Sequence, residues 1–402
     1  MKKSVAIIGG GTAALFLAAF LDPALFAVTI YEKNKSLGRK FLVAGDGGFN
    51  LTHTEPLDAL VTRYTPPDFL AAAIHFFDNQ QFGKWLAEIG IPTFVGSSKR
   101  VYPVRGIKPI GVLNAVLAVL AAKGVQLRYQ YPFTGWNAAG EPIFKGNEAV
   151  SADYYVFALG GGSWSVTGSD GHWLEAFRQQ GIATRPFAPA NCAYQVPWPA
   201  GLLAECEGQP LKNITITCAG QVQKGEAVLT QFGLEGNAIY GLSPQIQAQL
   251  DARQAATIYL DLKPTLSLPT ILQRLAASNK KTTDTLRTDL RLSPTQLALL
   301  KHTLTKTDYL SATTLAARIK QLPLQVTGAA PLDEAISTSG GVALTAVSAA
   351  FALTELPHTY CIGEMLDWNA PTGGYLIQAC ASMAAFLAEH LKRQATEAEF
   401  QD

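Results

Sequence analysis

Along the first thirty residues the apolar positions come in unbroken blocks instead of alternating with polar ones. Residues 5–8 (VAII) are fully apolar and stop at three consecutive glycines, residues 14–21 are small and apolar, and residues 28–31 end at Glu32. Short apolar runs of this kind predict buried parallel strands, with the block between them a helix packed on the sheet. The strand-then-glycine pattern returns at residues 154–159, which run into Gly160, Gly161 and Gly162, and at residues 360–363, which end in Gly363-Glu364. Helices are expected over residues 68–90, over 111–122 and from about Tyr375 onward. From about 189 to 337 the pattern changes. Strand-like segments at 214–218 and 227–230 and the stretch TIYLDLKP give way to polar helix over 268–322.

The opening MKKSVAIIGGGTAALFLAAFLDP admits two readings, a secretory signal peptide or the first strand, turn and helix of a nucleotide-binding fold. Three glycines interrupt the run where a signal helix is continuous, and Asp22-Pro23 interrupt it again. The nucleotide reading accounts for every letter. Gly9 to Ala14 supply a G-x-G-x-x-A turn in which Gly9 makes the tight bend, Gly11 admits a pyrophosphate, Thr12 and Ala13 complete the turn at the cofactor, and Ala14, where the helix begins, keeps it close to the sheet. Glu32 lies 21 residues past Gly11, where an acidic side chain accepts hydrogen bonds from a ribose. The predicted fold is therefore α/β, a discontinuous Rossmann-type domain in two parts, residues 1–188 and 338–402, around an inserted β-rich plus helical region, residues 189–337.

Composition narrows the chemistry. The 402 residues are 48% hydrophobic and 16% charged, with a formal net charge of +1, so no global field gathers nucleic acid or an anionic membrane. A membrane span is not expected, since no window offers about 18 uninterrupted apolar residues. The five cysteines are odd in number and never paired as Cys-x-x-Cys, which suits a reducing cytoplasm and argues against a disulfide framework, a zinc site or a dithiol centre.

After Glu32 comes KNKSLGRKFLVAGDGGFNLTH, a glycine-rich basic loop where a nicotinamide dehydrogenase proceeds to its next helix. Lys33, Arg39 and Lys40 are candidates for neutralising a pyrophosphate, and Gly45, Gly47 and Gly48 for close approach to a flat ring. The far end of the chain supplies a matching half-site. Gly363-Glu364 is followed by Thr372-Gly373-Gly374-Tyr375, a glycine turn entering a long helix whose positive end would favour reduced flavin near N1 and the C2 carbonyl.

Together IIGGGTAAL with Glu32, LGRKFLVAGDGGFN, ALGGGSWSVTGSDG, STSGGV and GEMLDWNAPTGGYLIQ resemble the BaiN-like (YhiN-like) family of bacterial FAD-dependent oxidoreductases, also labelled aminoacetone-oxidase-like flavoproteins. The resemblance runs nearly end to end and in order. It implies non-covalent FAD, with Asn50, Phe133, Leu159, Gly160 and Gly161 joining the cofactor contacts, Glu32 on the ribose, and Gly363-Glu364 on the ribityl or pyrophosphate. Where many members carry Ala-Thr-Gly-Gly this chain has Ala158-Leu159-Gly160-Gly161. Where many carry Gly-Gly-Gly-Arg-Cys-Asn it has Gly45-Asp46-Gly47-Gly48-Phe49-Asn50, without that arginine and cysteine.

No Gly-x-Ser-x-Gly elbow and no His-Glu-x-x-His is present, and no side chain declares itself catalytic. His53 lies beside the flavin loop, and Arg100, Tyr102 and Arg105 in SSKRVYPVRG are candidates for orienting an anionic substrate, against a competing reading as solvated turn charge. The expected activity is electron transfer between a small-molecule substrate and a nicotinamide or other acceptor through FAD; because a second dinucleotide motif is lacking, either NAD(P)H docks transiently as donor or the substrate itself reduces the flavin. A binding or RNA-modifying flavoprotein is the alternative.

Overall fold

The computed structural model describes residues 1–43 and 49–399. The chain divides into two compact units, one formed by residues 1–188 with 336–402 and the other by residues 189–335.

The first unit is built on a five-stranded sheet in which every neighbouring pair is parallel. Its order is Thr359–Cys361, Tyr154–Phe157, β1 (Lys3–Ile8), β2 (Phe26–Glu32) and, at the far edge, Gln126–Tyr129. Three of the apolar blocks thus lie side by side in the order 360, 154, 5. Strands buried on both faces need continuous apolar sequence, and Val5, Ile7, Ile8, Val156, Phe157 and Cys361 are all at 1% exposure or less. Helix α1 (Thr12–Phe20) follows β1, with Ala13 to Ala19 buried. A 25-residue helix, Tyr375–Glu399, closes the unit.

The stretch predicted as one helix over 68–90 is two, Pro67–Phe76 and Asn79–Glu88. The break falls at Asp78, whose carboxylate accepts from the backbone of Gln80 and Gln81 while Gln81 returns a bond to the Asp78 backbone N–H, a complete capping box. A small antiparallel sheet of β3 (Thr52–His53), β5 (Arg100–Pro103) and β4 (Thr93–Val95), in that order, is not foreseen in the sequence.

The second unit carries a seven-stranded sheet whose neighbouring strands pair antiparallel, from Leu322–Val326 through Ala256–Asp261, Pro210–Cys218, Gln221–Leu229, Gly233–Glu235 and Tyr194–Gln195 to Gly328–Ala329. Its own apolar core includes Ile216, Leu229, Leu260, Leu299 and Ile319. The polar helical region is five short helices between residues 268 and 320; Ser267, Ser293, Thr305 and Ser311 each cap the helix that follows with a side-chain oxygen.

Candidate functional site

At the carboxyl ends of three adjacent parallel strands the chain turns on glycine each time: Gly9 after β1, Gly160 after Tyr154–Phe157, and Gly363 after Thr359–Cys361. This is where open parallel sheets hold ligands. Gly9 has φ +106°, and a Cβ there would lie 2.4 Å from the Ala158 carbonyl oxygen, so both the bend and the close strand contact require glycine. Gly10, to which the sequence motif gives no role, is as tightly confined, since a Cβ would meet Leu37 Cδ2 at 2.2 Å and Glu32 Oε2 at 2.8 Å. Gly11 differs. Its φ is −83°, the closest atom to an added methyl would be the Ala158 oxygen at 4.0 Å, and no side chain caps α1 behind it. The first amides of α1 therefore stand uncovered, with no acidic residue in the first turn, which suits a pyrophosphate. Thr12 begins that helix, Ala14 is fully buried, and Ala13 is small enough to let Gly363 approach, where an added Cβ would sit 2.9 Å from the Ala13 methyl.

Glu32 is buried, and its carboxylate is held by three donors: the Gly10 N–H at 2.8 Å, and the Asn34 N–H and side-chain amide, both at 2.7 Å. Its first task is to fix the glycine turn, a task that position in the sequence alone does not reveal. The three basic residues are likewise engaged inside the protein. Arg39 donates to Asn34 Oδ1 and to the Val166 carbonyl, Lys33 pairs with Asp170 at 2.8 Å, and Lys40 reaches Ser163 Oγ at 2.9 Å and Glu364 Oε2 at 3.0 Å. These bonds tie the segment after β2, including α2 (Arg39–Val43), to the glycine segment after Tyr154–Phe157 and to the turn at Gly363.

Gly161 leaves room for Thr338 Oγ1 and the Glu364 carboxylate, which a Cβ would meet at 2.1 and 3.0 Å. Glu364 Oε1 also accepts the Thr338 N–H, and the Gly160 carbonyl accepts Trp173 Nε1–H. Leu159 packs on the apolar core and Asn50 is half-buried. The Phe133 ring lies among Trp136, Phe144, Phe157 and Phe177, so that side chain serves the core. Gly45, Gly47 and Gly48 lie outside the described residues.

The turn at residues 372–375 is bonded into a constellation that sequence spacing does not join. Gly374 has φ +97° and presses on the Thr52 backbone, where a Cβ would fall 2.6 Å from N and Cα. Tyr375, first residue of the long helix, donates its hydroxyl to Glu55 Oε2 at 3.1 Å, and the Tyr375 carbonyl accepts from Tyr64 at 3.0 Å. Arg63 grips both Glu55 oxygens, and the His53 ring stacks on Tyr375 with centroids 5.4 Å apart. Burial pushes the Tyr375 hydroxyl well above its ordinary pKa, helped by Glu55. Burial alone would raise Glu55, but the hydrogen bonds and charge of Arg63 hold it below the usual carboxylate range. Burial pushes His53 down, partly opposed by Glu55. At neutral pH the set is thus a neutral imidazole, a carboxylate paired to guanidinium, and a neutral phenol.

The model of the HI0933-like protein Rossmann domain matches residues 3–390. The chain belongs to the HI0933-like family. A ribosomal RNA dihydrouridine synthase of Haemophilus influenzae is 25% identical over 404 residues, covering 96% of this chain and 98% of that protein. A 3-dehydro-bile acid delta(4,6)-reductase of Clostridium scindens is 25% identical over 274 residues, 65% of this chain and 64% of that enzyme, so this match spans less than two thirds of its length. Among solved structures, a flavocytochrome c3 fumarate reductase in its open conformation aligns over 98% of this chain and 78% of that one with a TM-score of 0.50 at 12% identity, a likeness of fold. No helix among the described residues is long and apolar enough to cross a membrane.

Proposed function

We propose that this HI0933-like protein is an FAD-dependent oxidoreductase that reduces a carbon–carbon double bond conjugated to a carbonyl. The observation that carries the cofactor is the uncovered amino end of α1 at Gly11, between a buried Glu32 and two further strand-end glycine turns. FAD fits this cradle: Gly11 and the first amides of α1 would take the pyrophosphate, Glu32 the ribose, and the helix starting at Tyr375 the ring system. When bound, the flavin supplies hydride chemistry, and the chain supplies binding, orientation and charge. The two relatives support the reaction class, because a dihydrouridine synthase and a delta(4,6)-reductase both add hydrogen across a double bond conjugated to a carbonyl. NADH or NADPH would dock transiently as the donor.

The substrate is expected to be a small molecule. A uracil ring within RNA is a second reading, favoured by the end-to-end match to the dihydrouridine synthase and by the β4–β5 hairpin. There Phe94, 43% exposed, stacks on Tyr102 with centroids 5.6 Å apart, and residues 89–140 contain six lysines and arginines but no aspartate or glutamate. Aromatic stacking and local positive charge suit single-stranded nucleic acid.

The test is anaerobic reduction of the FAD-loaded protein with NADH or NADPH, followed by mixing with a panel of enones. Return of the oxidised flavin spectrum with at least one enone is expected, and failure of every enone and nicotinamide would refute the reductase reading. Fluorescence anisotropy with a single-stranded uridine oligonucleotide separates the substrates. Salt-sensitive binding that weakens in Phe94→Ala would favour RNA, and its absence the small molecule.

A further inference from the structure

We propose that Arg100 and the turn at residues 372–375 form a binding site for a planar, delocalised oxyanion. The antiparallel register of β3 with β5 sets Arg100 opposite His53, which stacks on Tyr375. Gly373 has φ +123°, and a Cβ there would lie 3.1 Å from Arg100 Nε and 3.6 Å from a terminal nitrogen, so the missing side chain is what lets the guanidinium lie against the turn. This half-buried cation has no hydrogen bond or ion pair to its side chain among the described residues. The neighbouring carboxylate is not available to it, since both Glu55 oxygens are bonded to Arg63 and one also accepts from Tyr375. The first turn of the helix holds no acidic residue either, so the guanidinium and the positive helix end add without local neutralisation. Their sum is an electropositive corner with a flat, donor-rich cation on one side and an aromatic ring on the other. A guanidinium in that setting matches a planar oxyanion by paired N–H donors.

The inference rests on the flavin reductase reading, which offers two occupants of this one chemistry. The first is the carbonyl oxygen of an enone substrate: a bound reduced flavin would supply hydride to the β-carbon, and Arg100 would hold the negative charge that the displaced C=C electron pair places on that oxygen until the α-carbon takes a proton from solvent. The second is the N1–C2 oxygen edge of the reduced flavin itself.

Arg100→Gln and Arg100→Lys, loaded with FAD, separate these occupants from each other and from failure of the site. The probe is benzoate, followed by its perturbation of the flavin spectrum, with neutral benzamide as the control ligand and, as the control variant, Arg393→Gln, an exposed arginine paired with Glu389 late in the long helix. Midpoint potentials are measured on the same samples. With a substrate occupant, Arg100→Gln weakens benzoate at least tenfold, Arg100→Lys less, and benzamide binding and the Arg393→Gln variant are unaffected. With a flavin occupant, the midpoint potential falls in Arg100→Gln, by about 30 mV for each tenfold loss in stabilisation of the reduced form, while benzoate affinity holds. Unchanged benzoate affinity together with unchanged potential in both Arg100 variants would overturn the site. Failure of the underlying reading would show separately, as parent protein that holds no FAD before benzoate is added.

Discussion

Single residues around the two glycine turns perform more than one physical task, and substitutions separate them. Glu32 accepts three protein hydrogen bonds before any ribose arrives. Glu32→Gln keeps volume but replaces one acceptor oxygen with a donor facing another donor. Charge-assisted bonds are worth about 1.5–3 kcal/mol. The cofactor-free variant should therefore lose about 1–3 kcal/mol in denaturant unfolding, alongside a roughly tenfold to hundredfold loss of FAD affinity. Unchanged stability with lost affinity would mean that the carboxylate serves the ribose alone. His53 and Glu55 both contribute to the pH response. Both have folded-state pKa values below their ordinary ones, so the unfolded chain binds more protons and acid destabilises. The His53 contribution is present above its ordinary value of 6.5 and is lost as pH falls through the lowered folded value; that of Glu55 is present above 4.5 and goes at lower pH. Thermal melts should fall with acidification in two stages, and His53→Gln should shrink the first, to which His390, also lowered by burial, contributes, while leaving the second.

At the scale of elements, glycine is informative only where its surroundings are known. Gly83 lies inside the helix Asn79–Glu88 with nothing within 4 Å of an added Cβ, so Gly83→Ala should stabilise the protein by about 0.5–1 kcal/mol through helix propensity. Gly374→Ala should do the opposite and cost more than about 2 kcal/mol, because its φ of +97° is unfavourable and the methyl would strike the Thr52 backbone. Equal melting temperatures for the two variants would contradict these local environments. The same contrast explains what was legible in the sequence. Four of the five parallel strands and the first helix were readable because a strand covered on both faces must be apolar throughout, as residues 5–8 are; the edge strand Gln126–Tyr129, largely exposed, was not. The β4–β5 hairpin was not, because Phe94 and Val95 are exposed and the strand beside it, Thr52–His53, is two residues long. The long helix over 68–90 hid its break in Asp78, a cap that needs its partner Gln81 in place to be recognised. Arg63 and Tyr375 meet at Glu55 from 8 and 320 residues away, and no periodicity brings such positions together.

Across the whole molecule, thiol chemistry has no accessible group. All five cysteines are free and buried, and burial raises each thiol pKa. The thiolate is the reactive form. A chromogenic disulfide reagent at neutral pH should label none of them rapidly in the native protein and all five after denaturation; one fast native thiol would show that the chain opens more readily than its packing implies. The proposed activity rests on a bound flavin, and the three strand-end turns are where the sheet would hold it. Gly11 allows that cofactor site to be tested without disturbing the fold. It sits at the N-cap of α1 with ordinary φ and open space around it, so Gly11→Asp gives the helix a favoured cap while placing a carboxylate where the pyrophosphate would lie. The deciding measurement is a titration of FAD into Gly11→Asp and parent apoprotein. The expected result is at least a hundredfold weaker binding with an equal or higher melting temperature, and equal FAD affinity in the two proteins would contradict a cofactor seated on this turn.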